Sequence, residues 1–183
     1  MTGYVALLRG INVGGKNLIR MPALKACFEA GGFEDVSTYI QSGNVLFRSG
    51  GGGSAALTRR IEEMLTATFG HYRASVVVRS RAQMRAIVDG APKGFGADPA
   101  AYRYDVIFLK EPLTGSAALR DVPTREGVDA AHAGKGVLYF SRLTARATQS
   151  RLGKVISLPI YQSMTIRNWN TTTKLLAMME DRS

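Results

Sequence analysis

Two periods of apolar residues alternate along the chain and set out a regular series of elements. Tyr4–Arg9 is apolar on both faces, which predicts a central strand. From about Pro22 to Ala30, Leu24, Cys27 and Phe28 share a helical face. Pro22 suits the first turn of that helix, and Gly31-Gly32 its stop. Val36–Gln41 alternates as a strand, Ser42-Gly43 makes a tight turn, and Asn44–Arg48 returns as a second strand of a hairpin. After the flexible Gly50–Gly53 loop, Ser54 is placed to cap a helix whose inner face is Leu57, Ile61, Met64, Leu65 and Phe69. Ser75–Val78 then reads as a strand, and Arg81–Asp89 as a helix with Met84, Ile87 and Val88 inward.

Pro92, Gly94, Gly96 and Pro99 mark residues 91–101 as a linker, after which the order begins again. Arg103–Leu109 is a strand and Gly115–Arg120 a short helix. Gly127–Ala133 and Gly136–Arg142 form a hairpin over Gly134-Lys135. Gln149–Leu158 is a helix interrupted by Gly153, Met164–Arg167 a strand, and Thr171–Glu180 a last helix. Both halves, 1–90 and 102–183, read β-α-β-β-α-β with an extra helix after each. The expected class is therefore α+β, a pair of ferredoxin-like halves. No matching residues stand out between them, so the repeat is one of element order.

That topology makes a geometric prediction. The first two strands of a half run the same way, and the third returns between them. The end of the first strand and the hairpin turn then share one edge of the sheet. Leu8–Asn17, rich in glycine and carrying Arg9, Asn12, Lys16 and Asn17, should meet Gln41-Ser42-Gly43-Asn44.

Composition narrows the class of protein. A hydrophobic content of 45% in 183 residues supports a buried core. No apolar run approaches the roughly 20 residues that span a bilayer. The start of the chain lacks the basic segment and cleavage site of a signal peptide, and Cys27 stands alone, so a reducing cytoplasm is the expected compartment. Net charge is +10, and no acid occurs between Asp129 and Glu180, an interval holding Lys135, Arg142, Arg146, Arg151, Lys154, Arg167 and Lys174. Such an interval suits a nucleic-acid surface if its cations share a face, and equally suits simple solubility.

Gly10 to Lys16 nearly matches a phosphate-binding P-loop, but Asn17 stands where Ser or Thr would meet magnesium. Pro22 would also fall inside the helix that a P-loop begins. What survives is a looser anion pocket: Arg9 and Lys16 for charge, with the amides of Gly14 and Gly15. The alternative is a connecting loop whose glycines only relieve strain. Gln41-Ser42-Gly43-Asn44 taken alone is an ordinary turn. Arg167-Asn168-Trp169 closes a strand and opens the last helix, which Asn170 or Thr171 can cap. These residues suit a planar or phosphorylated ligand, or a cap with a Trp plugging the junction of the halves. Cys27 reads as packing. His71 and His132 lack partners at ligand spacing, so no metal and no cofactor are expected. Val45-Leu46-Phe47-Arg48 lacks the glycine-aromatic signature of an RNA-recognition strand.

Four stretches together closely resemble the bacterial proteins grouped as domain-of-unknown-function family 1697. They are Ala6–Gly15, Met21 with Leu24, Thr38–Val45, and Thr165–Thr171 with Lys174-Leu175. The resemblance extends over almost the whole length. It implies a duplicated fold of ferredoxin-like halves, directs attention to the same polar segments, and implies no reaction.

Three functions fit these observations. The first is a cytoplasmic protein binding a phosphorylated or anionic small ligand, nucleotide-like. Arg9, Lys16, Gly14 and Gly15 would hold the anion, and Asn12, Gln41, Ser42 and Asn44 would orient it. Arg167, Asn168 and Trp169 would close the site if the second half folds over the first. The second is a non-catalytic nucleic-acid module. In the third, the polar segments only stitch the fold. No catalytic residue is singled out.

Overall fold

The strand order expected of a ferredoxin-like half is present twice in the structure, a computed structural model that describes residues 1–182. The first half contains β1 (Thr2–Leu8), α1 (Met21–Ala30), β2 (Glu34–Tyr39), β3 (Asn44–Ser49), α2 (Ser54–Thr68), β4 (Val76–Ser80) and α3 (Arg81–Asp89). Its sheet has the order β2-β3-β1-β4, with β3 antiparallel to both neighbours. Tyr4, Ala6 and Leu8 of β1 pack with Leu24 and Phe28 of α1 and with Leu57, Ile61 and Leu65 of α2. Val5 and Leu7 point the other way and are also buried, as the unbroken apolar run requires.

The second half contains β5 (Tyr102–Leu109), α4 (Gly115–Asp121), β6 (Asp129–Gly134), β7 (Val137–Leu143), α5 (Leu152–Val155), β8 (Met164–Asn168) and α6 (Trp169–Glu180), with sheet order β6-β7-β5-β8. The helix expected at Gln149–Leu158 is only the four residues of α5 between two 3-10 turns, Thr144–Gln149 and Pro159–Ser163. Gly153 and the proline that follows deny it the length at which a helix sustains itself. Ser54 does not cap α2: its hydroxyl donates to Gln83 Oε1 at 2.7 Å, and Gly53 takes the cap position. The chain divides into two compact units. One is Met1–Met84 with the chain from Leu175 on, and the other is Arg85–Lys174.

The repeat runs deeper than element order. Leu8 N donates to Gly43 O at 2.8 Å, and Leu109 N to Gly136 O at 3.0 Å. Arg9 N donates to Ser75 O at 2.9 Å, and Lys110 N to Ser163 O at 2.8 Å. Arg79 faces Val5 in register and donates to the Val78 carbonyl at 2.9 Å, while Arg167 faces Val106 and donates to the Ile166 carbonyl at 2.9 Å. Ser80 and Asn168, one residue further on, each accept from the backbone N–H three residues later and so begin α3 and α6. The cap of α6 is thus Asn168, not Asn170 or Thr171.

One buried charge in the second unit shapes its pH response. Asp105 is 9% exposed, with its Oδ2 3.6 Å from Arg142 Nη2. Burial pushes its carboxyl above the ordinary 3.8, outweighing the opposing pull of Arg142 and Arg103. The folded chain therefore holds this proton more tightly than the unfolded chain, and this contribution to stability falls as pH rises from 3.8 through the raised value. Asp105→Asn should remove that fall and raise the urea midpoint at pH 7. A lower midpoint at pH 7 would contradict it.

Candidate functional site

The expected meeting of two polar loops is present in the first unit. Beyond Leu8 the chain leaves the sheet, and Tyr72 Oη donates to the Arg9 carbonyl at 2.7 Å, fixing the exit. Asn12 to Asn17 then folds on itself. Asn12 N donates to Asn17 O at 3.2 Å, Val13 and Lys16 bridge, and Gly14 and Gly15 turn between them at φ 59° and 73°. Two consecutive positive φ values make a tight hairpin turn rather than a P-loop cradle. Gly14, Gly15 and Lys16 form its exposed tip.

Asn12 joins this loop to the hairpin. Its Nδ2 donates to Ile19 O at 3.0 Å and to Gln41 O at 2.9 Å, and its Oδ1 accepts from Ile19 N at 2.9 Å. Both amide hydrogens are engaged, so its side chain works as a strut. Asn44 is fully buried, with Nδ2 donating to Tyr39 O at 2.9 Å and Ser42 Oγ at 3.0 Å. It shapes the turn from beneath. Gln41 is exposed, Ser42 and Arg9 half-buried.

Beside Asn12 and Gln41 lies a cavity of about 420 Å³, lined also by Leu18, Ile19, Arg20, Met21 and Pro22. It opens at the start of α1, whose first turn contains no acid. A helix N-terminus carries partial positive charge, and Arg20 adds a full one. Leu18 is exposed and offers an apolar wall. Arg20 lies outside the glycine-rich motif, so no motif marks it as a site residue in the sequence. The available signal was a cation two residues before a helix-starting proline.

Arg167, Asn168 and Trp169 belong to the second unit. Arg167 is buried and matched by Arg79, and Asn168 is a cap. Trp169 packs edge-on against Phe95, ring centroids 5.2 Å apart. Within the basic interval, Arg167 is buried and Arg142 faces Asp105, while Lys135, Arg146, Lys154 and Lys174 are exposed. Among the described residues, no group of three His, Cys, Asp or Glu side chains could hold a metal ion, and no helix is long and apolar enough to cross a membrane.

Residues 1–139 match the profile of a family described as "Protein of unknown function (DUF1697)". Among solved structures, the chain is similar to the conserved bacterial protein SP0830 from Streptococcus pneumoniae. The TM-score is 0.82 and the sequence identity 28%, over 97% of this chain and 98% of that one. No curated protein matches.

Proposed function

The chain belongs to the DUF1697 family of proteins of unknown function; from the geometry of its first unit we propose that it binds a small phosphorylated or otherwise anionic ligand, nucleotide-like, beside α1. The observation that carries this reading is the cavity of about 420 Å³ where the two loops meet, lined by Asn12, Arg20 and Gln41 and by no acid. Arg20 and the start of α1 attract the anion. Gln41 supplies hydrogen bonds from the lining, and Ser42 adds a hydroxyl from the adjoining turn. Leu18, Met21 and Pro22 face the apolar part of the ligand, as small-molecule sites usually require. Arg9 and Lys16, with the amides of Gly14 and Gly15, add positive potential from the neighbouring loop. Asn12 and Asn44 hold the shape. We assign Arg167, Asn168 and Trp169 to the fold of the second unit. A nucleic-acid surface has less support, because Arg142 and Arg167 of the basic interval face inward partners.

Thermal denaturation with a panel of nucleotides and sugar phosphates tests the proposal. A ligand at 100 times its Kd adds about 2.7 kcal/mol, a rise of roughly 5–10 °C for a chain of this size. Arg20→Ala should abolish most of that rise while leaving the ligand-free midpoint nearly unchanged, since Arg20 is exposed. An equal rise in Arg20→Ala, or none across the panel, would contradict the proposal.

A further inference from the structure

We propose that the first unit carries a second, separate anion site, built from arginines at the opposite end of β1 and suited to a phosphoryl group on a small ligand. The glycine-rich loop follows Leu8, the last residue of β1; this site surrounds Thr2 and Gly3, the first two. Six residue steps of a strand separate them, about 20 Å. A cavity of about 290 Å³ lies there, lined by Gly3, Leu46, Arg48, Arg81, Met179 and Arg182 among others. Its three arginines come from β3, the start of α3 and the chain after α6, positions remote in sequence that the fold of this unit brings to one hollow.

No carboxylate lines the cavity. Glu34 stands across from Arg48 in the β2–β3 register. Asp35 holds Arg182, which donates to the Asp35 carbonyl at 2.8 Å, lies 3.7 Å from its carboxylate, and also bonds the Ser37 hydroxyl. Both acids are outside the lining. Arg48 donates to the Met1 carbonyl at 3.4 Å. These contacts hold Arg48 and Arg182 in place beside the hollow, the preorganisation that an anion site needs. Guanidinium groups match phosphoryl oxygens in pairs of parallel hydrogen bonds. The first turn of α3 also contains no acid, so its dipole adds to the positive potential.

Gly3 supplies the space. A β-carbon at this position would meet no atom within 4 Å, so the backbone of β1 leaves the hollow open where another residue would begin to fill it. The volume is at the small end of ligand sites. It suits a compact phosphate ester or a terminal phosphate, with Leu46 and Met179 against any apolar portion.

Calorimetric titration of inorganic phosphate and pyrophosphate tests this in the full chain carrying Arg20→Ala, which silences the site beside α1. Saturable binding should persist there. Adding Arg81→Gln should weaken it at least about tenfold. Adding Gly3→Leu, which fills the hollow without removing a charge, should abolish it. Absence of saturable binding in the Arg20→Ala chain would overturn the proposal, as would undiminished affinity after Arg81→Gln. Should Gly3→Leu fail to fold, Arg81→Gln alone decides, because that side chain is exposed on the first turn of α3.

Discussion

Replacing Gly96 with alanine lowers the stability of the chain by about 2–5 kcal/mol, a fall in melting temperature on the order of 10 °C. Two effects add. Gly96 has φ +83°, a conformation that costs an L-residue about 1–2 kcal/mol. An added β-carbon would also land on the Trp169 indole, against Nε1 and 2.5 Å from Cδ1. Relief by moving the ring is blocked. Phe95 packs edge-on against Trp169, and the same ring meets Tyr104 at 5.0 Å and Tyr139 at 5.4 Å. Tyr139 Oη in turn donates to the Ile87 carbonyl at 2.6 Å. Overpacking such a cluster costs about 1–3 kcal/mol. Trp169 is the sole tryptophan, so its emission should shift in the variant before any denaturant is added. An unchanged midpoint and spectrum would contradict this description of the 91–101 segment.

Gly43→Ala should destabilise by a comparable amount, from the other unit and for a related reason. Gly43 has φ +79°, and a β-carbon there would lie 2.8 Å from both Leu8 Cβ and Ile11 Cδ1. Its carbonyl accepts from Leu8 N, so the turn cannot retreat without losing that bond. Strain and overpacking again amount to about 2–5 kcal/mol. The difference is in the consequence for binding. Gly43 holds the β2–β3 turn against the loop after β1, and the cavity beside α1 depends on that approach. Any ligand-induced rise in melting temperature should therefore shrink in Gly43→Ala and persist in Gly96→Ala. Equal responses in the two variants would contradict the location of the site.

Much of the fold was readable because the period of apolar residues reports burial directly. Leu24, Cys27 and Phe28 share a face and are buried. The unbroken run in β1 fixes it as a central strand, which determines the order of the whole sheet. From that order came the meeting of the glycine-rich loop with the Ser42-Gly43 turn. The repeat was hidden for a physical reason. Loops of different length separate the matching positions, so the spacing between counterparts falls from 101 residues for Leu8 and Leu109 to 93 for Gly43 and Gly136 and 88 for Arg79 and Arg167. Backbone hydrogen bonds align them where no constant offset in sequence can. The proline and glycine content of residues 91–101 reads as a linker, yet Phe95 and Gly96 fasten it to Trp169. An aromatic cluster assembled from distant residues leaves no local pattern.

The candidate site was half legible. Residue type marks Asn12 and Asn44 as polar, but only the bonds reveal that both are engaged within the protein. Ser42 Oγ accepts from Asn44, a local contact that a short turn of this kind favours. Arg20 lay outside any motif, and its significance comes from the cavity at the start of α1. Arg48, Arg81 and Arg182 are still less visible, since three elements far apart in sequence supply them.

Binding of an anion beside α1 in the first unit can be followed directly in solution. Nuclear magnetic resonance of the labelled chain, titrated with nucleoside monophosphates and sugar phosphates, tests it residue by residue. Saturable shifts are expected in the side-chain amide of Gln41, the backbone amides of Arg20 and Met21, and the Arg20 Nε–H, with the Trp169 indole unmoved. Saturable shifts confined to Trp169 and its neighbours, or none at Arg20 and Gln41 for any ligand in the series, would contradict it.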